Sequence, residues 1–224
     1  MAITVQRSVT FPPIRLKRID DYVLYVAKNS PSVNQLREIG LEIGRGRGDI
    51  TRFLERIGVV ETGGGVVSLT KLGGRLVSLR EELGLAVYHA LFYKRVPQYM
   101  YLVDSLKEAV EIKQEELYNY VNEKISKISP TAWVNRVAFK TLSHIAEELG
   151  VVEKLNSLLR YRGDPVEASI EAYYREHGVK IGQFFYVSLD KVIVEQCAKF
   201  EQPQSLYKIE IDCVVNKIYE IFSI

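Results

Sequence analysis

Residues 31–79, PSVNQLREIGLEIGRGRGDITRFLERIGVVETGGGVVSLTKLGGRLVSL, decide the fold of the amino-terminal third of the chain. Ser32 is placed to cap a short helix that carries Val33, Leu36 and Ile39 on one face, with Gly40 and Gly44 bracketing its end. Arg45-Gly46-Arg47-Gly48 is too rich in glycine to prolong a helix and reads as a tight turn between two helices packed across each other. Asp49 starts the next helix. There Ile50, Phe53, Leu54 and Ile57 are spaced to face a core, which leaves Thr51, Arg52, Glu55 and Arg56 on the outer side. Gly58 stops it. Val59-Val60 and Val66-Val67, joined by Glu61-Thr62-Gly63-Gly64-Gly65, predict a hairpin whose turn needs positive φ angles. A further helix restarts directly after the second strand, with Thr70 as its cap.

The run "LREIGLEIGRGRGDITRFLERIGVVETGGGVVSLTKLGGRLVSL" resembles the winged helix-turn-helix transcription regulators of the MarR and ArsR kind. The phrases "FLERIGVVE" before the wing and "LTKLGGRL" after it carry most of the likeness. The resemblance implies a DNA-binding winged-helix protein that regulates transcription and contacts double-stranded DNA, and a homodimer joined through terminal helices. Winged helices also serve as docking modules, so an adaptor of tandem winged helices within a larger nucleic-acid-processing or defence complex is the alternative.

A helix of about ten residues fits the major groove of duplex DNA, while the helix before it spans the backbone. Arg52 and Arg56, four apart, share one face of that helix, with Thr51 beside them. Arg45 and Arg47 sit in the turn ahead of it, where side chains and backbone N–H groups meet phosphate. Glu55 opposes phosphate, and the glycine-only wing tip brings no cation. Before the module, Phe11-Pro12-Pro13-Ile14 is held extended by its prolines, and Arg15, Lys17 and Arg18 follow at once. Such a basic arm suits either the DNA backbone or a dimer partner. A short helix from Ile19 to Lys28 precedes the helix-turn-helix pair.

Charge agrees with this placement. Residues 1–80 hold 13 Lys and Arg against 7 Asp and Glu, whereas the remainder holds 17 against 21, so the positive charge is local to the end that would face phosphates. No apolar run approaches the roughly 20 residues that span a bilayer, and the amino terminus lacks the layout of a signal peptide; a cytoplasmic protein with no membrane contact is expected. Cys197 and Cys213 read as small buried hydrophobes, a disulfide between them being the less expected outcome in a reducing compartment.

The fold class is mainly α with small β-hairpin wings, in tandem winged helix-turn-helix repeats: an arm plus winged helix over 1–80, a helical second unit over 81–160, and a third winged-helix-like or dimerisation unit over 161–224. In the second unit helices are expected over Leu83–Tyr93, from Pro97 through Leu106, and over Lys113–Lys127. Ser129-Pro130 then opens a long helix to Leu149 with Trp133, Val137, Leu142 and Ile145 inward and Thr131, Asn135, Arg136 and Lys140 outward, a second set of candidate DNA contacts. The order ending in Gly150-Val151-Val152-Glu153 echoes Gly58-Val59-Val60-Glu61.

Farther on, Asp164-Pro165 opens a helix to His177, Ile181–Val187 predicts a strand, and Leu189–Phe200 and Ile209–Phe222 predict amphipathic helices around the breaker Glu201-Gln202-Pro203-Gln204. The apolar stripe of Ile211, Val214, Val215, Ile218, Ile221 and Phe222 either closes a core or pairs with a second subunit. His89, His144 and His177 stand at no metal spacing, and Gly44-x-Gly46-x-Gly48 lacks the strand and acid of a dinucleotide fingerprint. No enzyme, metal or cofactor is expected. Tyr88, Tyr93, Tyr99, Tyr101, Tyr118 and Tyr120 cluster in the middle region and read as core and rim.

Overall fold

The computed structural model describes residues 11–223; residues 1–10 of the expected arm and Ile224 lie outside the described residues. The chain is mainly helical, with small antiparallel hairpins between the helices.

The first unit comprises α1 (Leu16–Asn29), α2 (Val33–Glu38), α3 (Asp49–Arg56), β1 (Val60–Gly63), β2 (Val66–Leu69) and α4 (Lys71–Leu83). At the start of α2 the Ser32 side chain accepts from the Gln35 amide while the Gln35 side chain accepts from the Ser32 amide, a reciprocal cap. Leu36, Ile50, Phe53, Leu54 and Ile57 are buried as their spacing requires, together with Tyr22, Val23 and Val26 of α1. Ile39 is not: α2 ends at Glu38, and Ile39 is exposed. A single bond from the Val67 amide to the Pro31 carbonyl, 2.7 Å, ties the α1–α2 connection to the hairpin. The "LGG" after the hairpin has a steric cause, since a Cβ at Gly73 would overlap the Val59 carbonyl oxygen where α4 crosses β1.

The second unit runs through α5 (Val87–Arg95), α6 (Pro97–Ala109), β3 (Glu111–Lys113), α7 (Gln114–Ile128), α8 (Arg136–Glu148), β4 (Val152–Leu155) and β5 (Leu158–Tyr161), and leads into α9 (Pro165–His177). Its sheet has the order β3-β5-β4, so β3 occupies the place held in the first unit by the Pro31 carbonyl. The sequence echo is structural. Gly58 and Gly150 both take positive φ, 78° and 75°, and the next amides, Val59 and Val151, each reach back to a helix carbonyl (Leu54, Ala146) at 2.9 Å. The two helix ends are therefore stopped by the same left-handed glycine.

The long helix expected from Ser129-Pro130 does not form. α7 runs to Ile128, residues 129–135 connect, and α8 begins only at Arg136. Asn135 is the cap, its side chain accepting from the Ala138 amide at 2.9 Å. A proline after one helix and an Asx cap before the next punctuate the chain twice, and the later signal governs.

The last third forms a four-stranded antiparallel sheet, β6 (Val179–Ile181), β7 (Phe184–Val187), β8 (Ala198–Glu201) and β9 (Leu206–Ile209), in the order β6-β7-β9-β8, closed by α10 (Ile211–Ile221). The single strand expected over Ile181–Val187 is split, Gly182 and Gln183 making the turn between β6 and β7. The helix expected over Leu189–Phe200 is absent: two single turns flank the β-branched run Val192-Ile193-Val194, and Ala198 already starts β8. On α10, Val214, Ile218 and Phe222 are buried against the chain's own α5 and α9, so the apolar stripe closes a core.

Cys197 and Cys213 are joined in a disulfide, with Cα atoms 5.8 Å apart. The β8–β9 hairpin folds the chain back so that the first turn of α10 meets the start of β8, a pairing that spacing alone does not reveal. Among the described residues no helix is long and apolar enough to cross a membrane.

Candidate nucleic-acid interface

The corner between α2 and α3 is built around a buried carboxylate. Glu42 Oε1 accepts from the amides of Ile43 and Ile50, at 2.6 and 2.9 Å. Its Oε2 accepts from the Thr51 amide at 2.8 Å and the Thr51 hydroxyl at 2.5 Å. Because Thr51 spends its one hydroxyl proton on Glu42, the Tyr22 hydroxyl is the donor in the 2.7 Å contact to Thr51 Oγ1. Burial pushes the Tyr22 phenol far above its ordinary range, which keeps it a donor. Gly48, with φ of 76°, lies directly over Glu42, whose carboxylate would collide with any Cβ there.

This arrangement corrects two expectations. Thr51 is buried and faces the core, not the outer side. The first amides of α3, the natural place for a phosphate, are already satisfied by an internal anion. Any contact with a polyanion at this corner is left to side chains.

Those side chains are present. Arg45, Arg47, Arg52 and Arg56 are exposed, and none forms an ion pair with another described residue. Arg37, from α2, shapes the loop beneath them: its Nε donates to the Gly44 carbonyl at 3.2 Å and its Nη2 to the Gly46 carbonyl at 3.0 Å. The Arg52 guanidinium lies against Gly46, which brings it to the loop that carries Arg45 and Arg47. Arg56 sits over the Phe53 ring at 5.8 Å, and its partial burial lowers its proton affinity without bringing it near neutrality. Asp49 shares this face, and Glu55 is half-buried.

The extended Phe11-Pro12-Pro13 segment runs along the same face. Phe11 packs edge-on against Phe53 at 4.5 Å and Phe92 at 6.2 Å, and a groove of about 260 Å³ separates the segment from Asp49, Arg52 and Arg56. The arm cations are committed elsewhere. Arg15 pairs with Glu148 at 3.2 Å, while the other oxygen of Glu148 caps α1 at the Leu16 amide. Arg18 donates to the carbonyls of Gly40 and Glu42. Lys17 pairs with Asp21 at 2.6 Å in an exposed contact one helical turn long. Arg15 and Arg18 thus brace the units instead of forming a free basic arm.

In the second unit Arg136 makes a two-pronged pair with Glu115, both contacts 2.6 Å, and covers the Tyr118 ring at 4.7 Å. Lys140 and Thr131 are exposed, and Lys140 has no ion pair with a described residue. Of the four apolar residues expected inward, Leu142 and Ile145 are buried, whereas Trp133 and Val137 are not. Ala132 and Val134 are buried, and both polar atoms of the Asn122 side chain bond the backbone of Val134, at 2.8 and 3.3 Å. Trp133, between them, points outward and is 53% exposed, and Val137 is 61% exposed.

Glu42 and Arg37 are the two residues that sequence reasoning passes over. A lone acid ahead of a basic, glycine-rich turn and before a helix start is the signal for the first. The sequence matches no known protein family, and neither a curated protein nor a solved structure matches it.

Proposed function

We propose that this chain binds double-stranded DNA through its first unit, as a regulator of transcription built on tandem winged helices. The reading rests on one observation: four exposed arginines, 45, 47, 52 and 56, gather at the α2–α3 corner with no ion-pair partner among the described residues. The element order supports it, since a helix, a short connection, two helices joined by a turn and then a hairpin is the order in which a winged helix presents its third helix to a groove. Arg52 and Arg56 would enter the major groove, and Arg45 and Arg47 would meet phosphate on either side. With four such contacts, log K should fall with log salt at a slope of about −3 to −4.

A duplex titration at two salt concentrations, with the wild type and an Arg52→Ala/Arg56→Ala variant, tests the proposal. Equal binding by the two proteins rejects the groove assignment. Asp49 and Glu55 beside the arginines favour a second reading, a protein-docking adaptor, which predicts no salt-sensitive duplex binding by either protein.

A further inference from the structure

We infer that the second unit holds single-stranded nucleic acid, with one base stacked on Trp133 and the adjoining phosphates in the groove between α7 and α8. Three independent features converge on this corner. The first is the aromatic shelf. Trp133 is forced outward by the burial of Ala132 and Val134 on either side and by the double bond of Asn122 to Val134. Ile128 and Val137, at the two ends of the same connection, are 55% and 61% exposed and extend the apolar surface. An exposed indole offers its face to any base, and stacking of this kind is tolerant of sequence.

The second feature is the groove itself. It has a volume of about 370 Å³, an aromatic wall of Tyr118 and Phe139 with rings 5.2 Å apart, and a rim that includes Lys113, Arg136 and Lys140. Glu115 neutralises Arg136 in the free chain. That pair is solvent-exposed on both sides, so a phosphate can take its place at little cost.

The third is charge complementarity. Residues 124–146, which include Trp133 and most of α8, contain four Lys and Arg and no Asp or Glu. On the surface Glu108, Glu123 and Glu115 pair with Lys124, Lys127 and Arg136, but the groove itself holds three cations, Lys113, Arg136 and Lys140, against the one acid Glu115; a hydrophobic protein partner would not call for that excess, and a second copy of this chain would set cation against cation. A duplex keeps its base faces stacked inside, whereas a single strand offers both faces and charge. The site is separate from the arginine corner of the first unit and does not depend on it.

Trp133 is the only tryptophan, so indole emission excited beyond the tyrosine band reports this surface alone. A 12-nucleotide single strand, the same strand annealed to its complement, and thymidine monophosphate are titrated in turn, with anisotropy of a labelled strand used for variants that lack the indole. The single strand is expected to quench the emission and to bind less tightly as salt rises. Trp133→Ala should weaken strand binding about tenfold or more, while Trp133→Phe, which keeps a stacking face, stays within about threefold of the wild type. Lys113→Ala/Lys140→Ala should weaken it and flatten its salt dependence. In the Arg52→Ala/Arg56→Ala variant the quenching should persist, which separates this site from the duplex contact.

The proposal is overturned if the single strand leaves the emission unchanged, or if duplex or mononucleotide quenches as strongly at equal concentration. It is also overturned if Trp133→Ala binds like the wild type, if quenching vanishes with Arg52 and Arg56, or if the emission shifts with protein concentration alone, which would assign the shelf to a second copy.

Discussion

Glu42 holds Thr51 through both of that residue's polar groups, its amide at 2.8 Å and its hydroxyl at 2.5 Å, and so fixes where α3 begins. The pair converts a turn with three glycines, 44, 46 and 48, into a defined corner, because the carboxylate also gathers the amides of Ile43 and Ile50. A buried acid with four donors is stable only while they all remain; its removal leaves them unsatisfied. Glu42→Ala is expected to cost about 3 kcal/mol or more of stability, and Thr51→Val about 1–2 kcal/mol. Urea denaturation measures both. Thr51→Val should bind duplex DNA like the wild type, since Thr51 never reaches the surface; a selective loss of DNA affinity at full stability would return it to the interface.

Arg37 and Arg52 should fail in different ways. Arg37 spends its guanidinium on the Gly44 and Gly46 carbonyls and, at 2.7 Å, on the Asn34 side chain, so its work is to shape the loop. Arg37→Ala should lower duplex affinity and leave the salt slope unchanged. Arg52→Ala should reduce the magnitude of the slope by about 1, one phosphate or groove contact fewer. Binding isotherms at a series of salt concentrations separate the two, and a reduced slope in Arg37→Ala would mean that it touches DNA itself.

The parts of this fold legible in sequence are those whose signals are local. Ser32, Thr70 and Asp164 announce helix starts by their own side chains, and Gly58 and Gly150 announce stops. The inward set of α3 follows from spacing alone, except for Thr51, whose facing is decided by a carboxylate nine residues earlier. Leu142 and Ile145 face inward as their spacing requires, but Trp133 falls in the connection before α8, where the bonds of Asn122 to Val134 turn its neighbours inward and leave it outside, and Val137 in the first turn is exposed as well. Arg15 and Arg18 looked free because their partners, Glu148 and the carbonyls of Gly40 and Glu42, are remote in sequence or belong to the backbone. The four arginines of the corner stand where spacing put them, exposed and without an ion pair to another described residue, although Asp49 shares their face.

His89 should make stability depend on pH. It is wholly buried between α5 and α6, its Nδ1 meets the Tyr99 hydroxyl at 2.9 Å, and its Nε2 has no partner among the described residues. Burial lowers its pKa to about 4, aided by the charge of Lys107 and opposed by Asp164. An unfolded histidine titrates near 6.5, so between pH 6.5 and 4 the unfolded chain takes up a proton that the folded chain refuses. The folded pKa is depressed, hence the stabilisation is complete above pH 6.5 and lost as pH falls toward 4, by up to a few kcal/mol. Melting temperatures at pH 7 and pH 4.5 should differ less in His89→Gln than in the wild type. An equal difference in the two proteins would show that other groups set the acid limb.

Reduction of the Cys197–Cys213 bridge should act on the carboxy-terminal unit as a whole. The bond closes a loop of 16 residues that holds the β8–β9 hairpin and pins the first turn of α10. Loop-closure entropy for such a span is about 3 kcal/mol, which in a chain of this size corresponds to a melting shift of roughly 6–12 °C. Downstream of the pin, Tyr219 donates to Asp164 at 2.8 Å and the Phe222 carbonyl accepts from Arg95 at 2.7 Å, so a loosened α10 releases ties to α9 and α5. A dithiol reductant and Cys213→Ser should each lower the melting temperature by the same amount, and the two together by no more than either alone. If the reductant has no effect on the wild type, the cysteines are not bonded in solution and α10 is held by its apolar face and those two hydrogen bonds.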